Sequence, residues 1–255
     1  MKILITNDDS FEAKGLEVLI DAVKDLGEVY VVAPAHPKSA CSHSLTITKP
    51  LRFIKIKENF YKLEDGTPTD CVYLSFPELF EGNKPDLVLS GINHGANLGE
   101  DVTYSGTAGG AMEGALHGIP SIAFSQVLKS FDEPPSEVNW ENAKKAAREI
   151  TKMVIDGKIK IPHRNILNVN IPNTKQIKGY KATVLGYRLY GNDAHKHKDP
   201  RGEDYYWIGL HPLAFGEKEN SDFDAIKEGY VSITPIKLDM SNYEAFGELQ
   251  KSLNG

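Results

Sequence analysis

The sequence predicts an α/β fold in which a mostly parallel β-sheet carries helices on both faces. Two observations lead to this prediction. Short apolar runs rich in β-branched residues alternate with amphipathic helical patterns through the first two-thirds of the chain. The apolar runs are compact, which is typical of strands that are covered on both faces. Strand, helix and strand in alternation imply right-handed crossovers between parallel neighbours in one sheet.

The first strand–helix–strand unit is predicted near the N-terminus. The run KILIT, Lys2–Thr6, predicts the first strand and is ended by polar residues. Residues 15–26 place leucine, isoleucine and valine at helical spacing and are followed by Gly27, a common helix terminator. Residues 29–33, with the sequence VYVVA, predict the second strand, which Pro34 stops.

The same alternation continues to about residue 171. Residues 86–89 (DLVL) predict a third strand that ends before a Ser-Gly pair, and residues 107–117 predict a helix that opens from a glycine loop. Residues 121–124 (SIAF) predict a fourth strand. An amphipathic helix is predicted over Trp140–Ile155, and residues 166–171 (ILNVNI) predict a fifth strand.

Two segments between these elements carry further expectations. Residues 55–62 indicate a surface connection. Thr69 and Asp70 indicate the start of another helix, with the threonine as N-cap and the aspartate as first-turn acid. A threonine oxygen accepts a free N–H at a helix start, and a carboxylate is favourable beside the positive end of the helix dipole.

The character of the chain changes in its last third. Residues 191–204 are too polar to be core and predict a hairpin or arm, with several aromatic residues near it. Residues 230–236 (YVSITPI) predict a last strand, and residues 243–253 predict a polar, helical tail. A chain of 255 residues corresponds to one large domain or to one domain with an extension. The predicted organisation is a core over 1–180, with 181–255 as arm, final strand and C-terminal segment.

The charge balance excludes one class of partner. The chain has 29 basic and 35 acidic residues, a net charge of −6 at pH 7. A protein that acts on the nucleic-acid backbone is usually basic, so we expect no nucleic-acid polymer as a main partner. No run approaches the ~20 apolar residues of a membrane span. Two cysteines form no disulfide scaffold, and the N-terminus lacks the apolar stretch of a signal peptide. These features predict a cytoplasmic protein without a membrane segment.

Polar residues with ligand chemistry follow the predicted strands, and ligands bind outside the carboxyl ends of strands in open α/β sheets. Asp8 and Asp9 come directly after the first strand and are a hard oxygen pair suited to Mg²⁺, Mn²⁺ or Ca²⁺. Ser39 follows the second strand and offers a hydroxyl oxygen. Asn93 follows the third strand with an amide oxygen, and Asn97 offers a donor to substrate. Ordinary turn, capping or solvated loop roles remain open for each residue alone.

The segment that opens the helix at 107–117 predicts an anion site. Backbone N–H groups at a helix start bind anions with help from the helix dipole, and Ser105, Gly106 and Thr107 add hydroxyls and a close backbone approach. The chain has neither a Walker A pattern nor a dinucleotide fingerprint after its first strand, and it lacks a Gly-x-Ser-x-Gly elbow. An acidic pair and an anion site at one sheet edge suggest a divalent cation that bridges protein and phosphate.

His94 and His43 are candidates for proton transfer, because histidine titrates near neutral pH. Hydrogen bonding within their loops is the alternative. Two nucleophiles also remain open, a water activated by the cation and a carboxylate of the acidic pair that would form an aspartyl-phosphate.

An ordered set of segments resembles the SurE family, the survival-protein-type 5′-nucleotidases. The segments are ITNDDS, VVAPAHPKSACSHSLTI, GTPTDCV, LSGINHGANLGEDVTYSGTAGGAMEGALHGIPSIAFS, LNVNIP, DPRGEDYYWIG and DFDAIKEGYVSITPI. The resemblance extends from residue 1 to about residue 240. It implies a Rossmann-like core, a protruding hairpin arm, and C-terminal segments that are swapped in a homodimer or homotetramer.

The resemblance also implies an activity and a set of site residues. The activity is metal-dependent hydrolysis of nucleoside 5′-monophosphates, extending to 3′-monophosphates, with one Mg²⁺ or Mn²⁺ per subunit. Hydrolysis of short polyphosphate and nucleotide binding without turnover are the alternatives. The implied metal ligands are Asp8, Asp9, Ser39 and Asn93, and the implied phosphate-binding residues are Asn97, Ser105, Gly106 and Thr107. Asp8, Asp9 and Asn97 are the expected catalytic residues.

Three residues depart from the family pattern. Ser10 stands where the family usually has glycine after the acidic pair, and Ala35 and His36 replace an acidic and a basic residue. The ligand positions are intact. A positive φ at Ser10 would strain the backbone, because glycine adopts such a φ at little cost and serine does not.

Overall fold

The computed structural model describes residues 1–130, 133–191, 194–209 and 214–254. Its strands are β1 (Lys2–Thr6), β2 (Glu28–Pro34), β3 (Arg52–Lys57), β4 (Phe60–Glu64), β5 (Leu87–His94), β6 (Ser121–Gln126), β7 (Asn165–Ile171), β8 (Tyr180–Ala182), β9 (Tyr187–Leu189), β10 (Ala194–Lys198), β11 (Asp204–Ile208), β12 (Ala214–Gly216) and β13 (Val231–Lys237). Its α-helices are α1 (Lys14–Val23), α2 (Pro68–Leu79), α3 (Gly106–Leu116), α4 (Trp140–Ile155), α5 (Asp222–Lys227) and α6 (Tyr243–Asn254).

Nine of these strands form one sheet in the order β3-β4-β2-β1-β5-β6-β7-β13-β8. Six strands that are consecutive in this sheet run parallel to one another, namely β4, β2, β1, β5, β6 and β7. On the two sides of this group, β3 pairs antiparallel with β4, and β13 pairs antiparallel with β7. This arrangement confirms the predicted α/β class with a mostly parallel sheet.

The two faces of the sheet are covered by different helices, because alternate residues of a strand point to opposite faces. Ile3 and Ile5 of β1 belong to a core that includes residues of α1 and α4, among them Leu16 and Ala146. Leu4, between them in sequence, packs in a second core with α2. The alanines of α3 pack against β6 and β7 in a third core. The helix layers therefore hold the carboxyl ends of β1 and β5 in place from both sides.

Close approach of α1 to β5 requires a glycine at position 15. A Cβ on Gly15 would lie 1.8 Å from the carbonyl oxygen of Ile92, so no larger residue fits without a shift of the helix. Ile92 lies in β5 beside the predicted ligand Asn93. The helix start thus packs directly on the strand segment that carries this candidate site residue.

The strands differ from their predicted bounds where tertiary contacts extend them. The prediction that the third strand ends at Leu89 is wrong, since β5 continues to His94 and pairs again with β6 after a shift in register between Ser90 and Asn93. The Ser-Gly pair suggested a strand end, but β6 supplies hydrogen-bond partners beyond it. The surface connection predicted at 55–62 is also wrong, because it contains the β3–β4 hairpin at the sheet edge.

The predicted helix start at Thr69 is wrong by two residues. Thr67 is the N-cap of α2, and its side chain accepts a hydrogen bond from the backbone N–H of Asp70 at 3.1 Å. The Asp70 carboxylate accepts the Thr67 backbone N–H at 2.8 Å in return. This reciprocal capping box places Pro68 at the first helical position, where its missing N–H costs nothing.

The predicted arm is an antiparallel hairpin of β10 and β11. Residues 192 and 193 of the predicted arm segment lie outside the described residues. Tyr206, Trp207 and Ile208 are exposed on the hairpin, and α6 likewise exposes Phe246 and Leu253. None of the helices in the described ranges is long and apolar enough to cross a membrane.

Candidate functional site

The carboxylate of Asp8 lies against the first turn of α3. Asp8 follows β1 by two residues and is buried. Its Oδ2 accepts a hydrogen bond from the backbone N–H of Thr107 at 3.0 Å, and its Oδ1 accepts one from the Thr107 hydroxyl at 2.5 Å. Gly106 permits this approach, because a Cβ there would lie 3.0 Å from Asp8 Oδ2 and 2.6 Å from Cys41 Sγ. The end of β1 and the start of α3 therefore meet directly.

Asp8 and Asp9 form a pair of desolvated carboxylates. Burial, and then the neighbouring charge of Asp9, raise the pKa of Asp8 from 3.8 to about 7, against the opposing hydrogen bonds from Thr107. Burial raises the pKa of Asp9, while the backbone N–H of His94, which donates to Asp9 Oδ2 at 2.8 Å, opposes that rise. Within the described part of the chain, no lysine or arginine forms an ion pair with either carboxylate. Such a pair favours a retained proton or a bound cation.

The end of β5 brings a neutral oxygen to this pair. Asn93 lies opposite Ser125 of β6 in the parallel register. Its Nδ2 donates to the carbonyl oxygen of Gly95 at 2.9 Å, so its Oδ1 is the atom that remains for a cation. The hydrogen bond from His94 to Asp9 joins this strand end to the acidic pair. The carboxylates and the amide oxygen therefore come from two adjacent strand ends.

The fourth predicted ligand, Ser39, lies in the loop after β2. The backbone N–H of Lys38 donates to the carbonyl oxygen of Asp8 at 2.7 Å, which places Ser39 one residue from this contact. Ser39 itself is exposed. Further along the loop, the Ser42 hydroxyl donates to the carbonyl oxygen of Thr103 at 2.8 Å. The loop is thus held at the end of β1 and again just before α3.

The predicted phosphate-binding turn, formed by Ser105, Gly106 and Thr107, already makes several hydrogen bonds within the protein. Both the N–H and the hydroxyl of Thr107 go to Asp8. The Ser105 hydroxyl oxygen accepts the N–H of Ala108 at 3.0 Å, as an N-cap does. The N–H of Gly106 belongs to the first turn, where no intrahelical acceptor exists. The donors that can face an anion are therefore the Gly106 N–H and the Ser105 hydroxyl proton.

Asn97 is buried in the loop between β5 and α3. Its Nδ2 donates to the hydroxyl oxygen of Ser125 at 2.8 Å. Ser125 is also the residue of β6 that lies opposite Asn93, so Asn93 and Asn97 approach the same point of the sheet edge. The structure thus brings the predicted phosphate-binding asparagine beside a predicted metal ligand.

The two histidines have different surroundings. His43 Nε2 lies 2.7 Å from a carboxylate oxygen of Glu113, whose other oxygen lies 3.0 Å from His117 Nε2. His94 stacks on Trp140 with ring centroids 6.2 Å apart, and its Nε2 is buried without a hydrogen-bond partner among the described residues. His94 is therefore the histidine attached to the acidic pair, whereas His43 is paired with a buried carboxylate of α3.

The three departures from the family pattern differ in structural consequence. Ser10 adopts a φ of 94°, a left-handed conformation that favours glycine, and its carbonyl oxygen accepts the Nδ2 of Asn7 at 2.8 Å. Ala35 is buried and donates its N–H to the carbonyl oxygen of Leu63 at 3.0 Å. His36 is exposed. Of the three, Ser10 alone carries backbone strain, directly beside Asp9.

Sequence reasoning missed several buried polar residues around the site. They are Glu113, Ser125, Asn168 and Asn170. One signal was present, since the asparagines of ILNVNI alternate with apolar residues and so lie on one face of the strand. Glu113 and Ser125 had no comparable signal, because their partners are remote in sequence.

The fold and the site together define an α/β protein with two adjacent carboxylates at the carboxyl edge of a parallel sheet, of which the buried one, Asp8, lies against a helix N-terminus. Residues 3–192 match the family described as Survival protein SurE. The chain belongs to the SurE family.

Curated relatives and a solved structure agree with this assignment. The chain is 56% identical over 256 residues to 5′-nucleotidase SurE of a Nitratiruptor species, with 99% of each chain covered. It is 56% identical over 255 residues to 5′-nucleotidase SurE of Wolinella succinogenes, with 98% of each covered. The crystal structure of the SurE protein from Aquifex aeolicus is similar with a TM-score of 0.85 at 44% identity, over 100% of both chains.

Proposed function

We propose that this protein is a divalent-metal-dependent phosphomonoesterase that hydrolyses nucleoside 5′-monophosphates to nucleoside and phosphate. The observation that carries the proposal is the buried carboxylate of Asp8 at the N-terminus of α3, with the half-buried carboxylate of Asp9 next to it at the end of β5. A divalent cation would relieve the repulsion within the pair, and the helix terminus favours an anion. The curated relatives named 5′-nucleotidase SurE support the same activity.

The donor set fits a hard cation. Asp8, Asp9, Asn93 and Ser39 offer oxygen atoms, which Mg²⁺ and Mn²⁺ prefer, and we propose one such ion per subunit. The desolvated carboxylates have no ion-pairing lysine or arginine among the described residues, so their charge is left for a cation. When bound, the cation polarises the phosphoryl oxygens. Thr107 orients the carboxylate of Asp8 through two hydrogen bonds.

The phosphate contacts come from the loop after β5 and the start of α3. Asn97 offers an amide proton, and Ser105 and Gly106 offer a hydroxyl and a backbone N–H. Thr107 contributes through Asp8, because both of its donors are committed to that carboxylate. Neutral donors of this kind would allow an anion to bind in a protein of net charge −6.

Proton transfer to the leaving nucleoside is assigned to a histidine. His94 is the first candidate, because its backbone is bonded to Asp9 and its Nε2 has no protein partner within the described ranges. His43 is the second candidate, and its Nε2 is held by Glu113. An imidazole can donate a proton from one ring nitrogen and accept one at the other, which is what a general acid or base requires.

A specific observation favours a nucleotide over a polyphosphate. Tyr104, directly before the phosphate turn, is exposed and contacts Tyr190 edge to face at 6.1 Å between ring centroids. An exposed aromatic ring beside a phosphate site provides a surface on which the base of a nucleotide can stack. Polyphosphate contains no base and would gain nothing from this ring. Nucleoside 3′-monophosphates are included in the proposal as secondary substrates.

Phosphate release from AMP, GMP and CMP, measured with and without Mg²⁺ or Mn²⁺, tests the proposal. We expect release that depends on the cation, and little release from short polyphosphate. Asp9→Asn should weaken cation binding and lower activity on the order of 100-fold or more, because a ligand and a charge are lost. Nucleotide binding without turnover under every metal condition would contradict the enzymatic proposal and support a regulatory module.

The assembly is proposed as a homodimer or homotetramer, formed through residues 181–255. The exposed apolar side chains of the hairpin and of α6 support this, among them Trp207 and Phe246. Aromatic residues of this kind are enriched at protein interfaces. Light scattering of the purified protein tests the proposal, and a monomer at micromolar concentration would contradict it.

A further inference from the structure

A side-chain amide on β7 pairs with the backbone of Asn97 in both directions. The N–H of Asn97 donates to Asn170 Oδ1 at 2.9 Å, and Asn170 Nδ2 donates to the carbonyl oxygen of Asn97 at 2.9 Å. The Asn170 side chain thus supplies the donor and the acceptor that a neighbouring strand would supply. Asn170 is fully buried, so this pairing is protected from water.

Two further buried residues complete the support of Asn97. Asn168 lies two residues before Asn170, on the same face of β7, and its Nδ2 donates to the Asn97 carbonyl oxygen at 2.8 Å. Ser125 of β6 lies opposite Asn170 in the parallel register and accepts the Nδ2 of Asn97 at 2.8 Å. Both residues are fully buried. The backbone and the side chain of Asn97 are therefore held from two adjacent strands.

We propose that Ser125, Asn168 and Asn170 are positioning residues that orient the amide of Asn97 for phosphate. This inference rests on the proposed function, in which Asn97 binds the substrate phosphate. Ser125 occupies one amide proton of Asn97, and the second amide proton is left for the anion. A loop asparagine without this support would lose rotamer freedom on binding, so fixing it beforehand strengthens phosphate binding.

Ser125→Ala tests the inference with a change that removes only one oxygen atom. Ser121→Ala is the matched control, because Ser121 is also fully buried on β6 and donates its hydroxyl to the Ile119 carbonyl oxygen at 2.9 Å. The readouts are the Kd of inorganic phosphate by calorimetry in the presence of Mg²⁺, the Kd of Mg²⁺ alone, and the KM and kcat for AMP. Calorimetry reports phosphate binding independently of turnover.

We expect Ser125→Ala to weaken phosphate binding and to raise the KM for AMP by about tenfold, the value of one hydrogen bond of ordinary strength. The Kd of Mg²⁺ should stay within about twofold, since Ser125 touches no proposed ligand of the cation by a hydrogen bond. Ser121→Ala should leave all these constants within about twofold while it lowers Tm by a similar amount, because both variants lose a buried hydroxyl.

Introducing Ser125→Ala into an Asn97→Ala variant distinguishes a positioning role of Ser125 from a purely structural one. If Ser125 acts through Asn97, the effect of Ser125→Ala on phosphate affinity should disappear in that background. An undiminished effect there, or equal phosphate affinities for Ser125→Ala and Ser121→Ala, would overturn the inference. Unmodified protein that binds phosphate but releases none from AMP with any metal would instead count against the proposed function, and the calorimetric comparison would still decide the role of Ser125.

Discussion

Thr107 donates both its backbone N–H and its hydroxyl to the carboxylate of Asp8, which lies 99 positions earlier in the chain. This contact joins the end of β1 to the start of α3, and it places a buried carboxylate at the positive end of a helix. Burial raises the pKa of Asp8 more than the two hydrogen bonds from Thr107 lower it, so the pKa is raised to about 7. Ionisation of Asp8 therefore carries a cost, which a cation at the proposed site would offset.

Asp8→Asn should stabilise the metal-free protein at pH 8 while it abolishes cation-dependent activity. The folded-state pKa of Asp8 lies above its ordinary value of 3.8, so the wild-type fold loses stability as pH rises from 3.8 to about 7. An asparagine cannot ionise, and its amide can still accept the Thr107 N–H through its oxygen while its NH2 group donates to the Thr107 hydroxyl oxygen. We expect a gain on the order of 1–3 kcal/mol at pH 8 and almost none near pH 4. Urea unfolding in EDTA at the two pH values measures this.

Asp25→Asn is the control for this pH dependence. The hydrogen bonds from Arg148 lower the pKa of Asp25 to about 2, so its contribution has the opposite sign and is present at pH 8. The control should therefore gain no stability at pH 8. An Asp8→Asn protein that is less stable than wild type at pH 8 would contradict the account of a destabilised carboxylate.

Gly106→Ala should lower kcat/KM on the order of 100-fold, because a misplaced site costs this much. The added Cβ would lie 2.6 Å from Cys41 Sγ and 3.0 Å from Asp8 Oδ2, so the Cys41 side chain, the Asp8 carboxylate or the start of α3 must shift at the site. Gly247→Ala in α6 is the matched control, since a Cβ there meets nothing within 4 Å. Steady-state kinetics with AMP compare the two helical glycines. Equal activity of both variants would show that this close approach is not needed.

Ser10→Gly should raise the free energy of unfolding by about 1 kcal/mol, because relief of a strained φ outweighs the added entropy of the unfolded chain. Ser10 has a φ of 94°, where a side chain is disfavoured. Ser10→Ala keeps the Cβ and should leave stability within about 0.5 kcal/mol. Urea unfolding of the three proteins measures the difference. If glycine and alanine shift the midpoint equally, strain at this residue is not the cause.

Thr67→Ala should destabilise the protein by about 1–2 kcal/mol, the usual cost of losing an N-cap. Thr67 accepts the N–H of Asp70 and also donates its hydroxyl to the carbonyl oxygen of Ser44 at 2.7 Å. Thr67→Ser retains the hydroxyl and is expected to lose less than half as much. Thermal unfolding compares the variants, and an equal loss in both would assign the effect to the methyl group.

The residues that the sequence predicted most accurately are those whose signals are local. The bounds of β1 and α4 agree with the residues predicted for them, because a compact apolar run and a helical spacing are complete within each segment. The chain order of β1, α1, β2, β5, α3, β6, α4 and β7 also agrees with the prediction, whereas the parallel strand β4 was predicted as a surface connection. Local signals failed in β5, where Ser90 and Gly91 suggested a strand end that pairing with β6 overrides.

In the candidate site, too, some features follow from local sequence and others from tertiary contacts. The amino-acid sequence by itself determined the residue types, the alternation of strands and helices, and the position of Asp8 and Asp9 at a strand end. Only the tertiary structure decided that Thr107 commits its donors to Asp8, that Ser10 has a positive φ, and that Asn97 is held by β6 and β7. The physical reason is that these features arise from hydrogen bonds and packing between segments remote in sequence, which no local pattern of residues encodes.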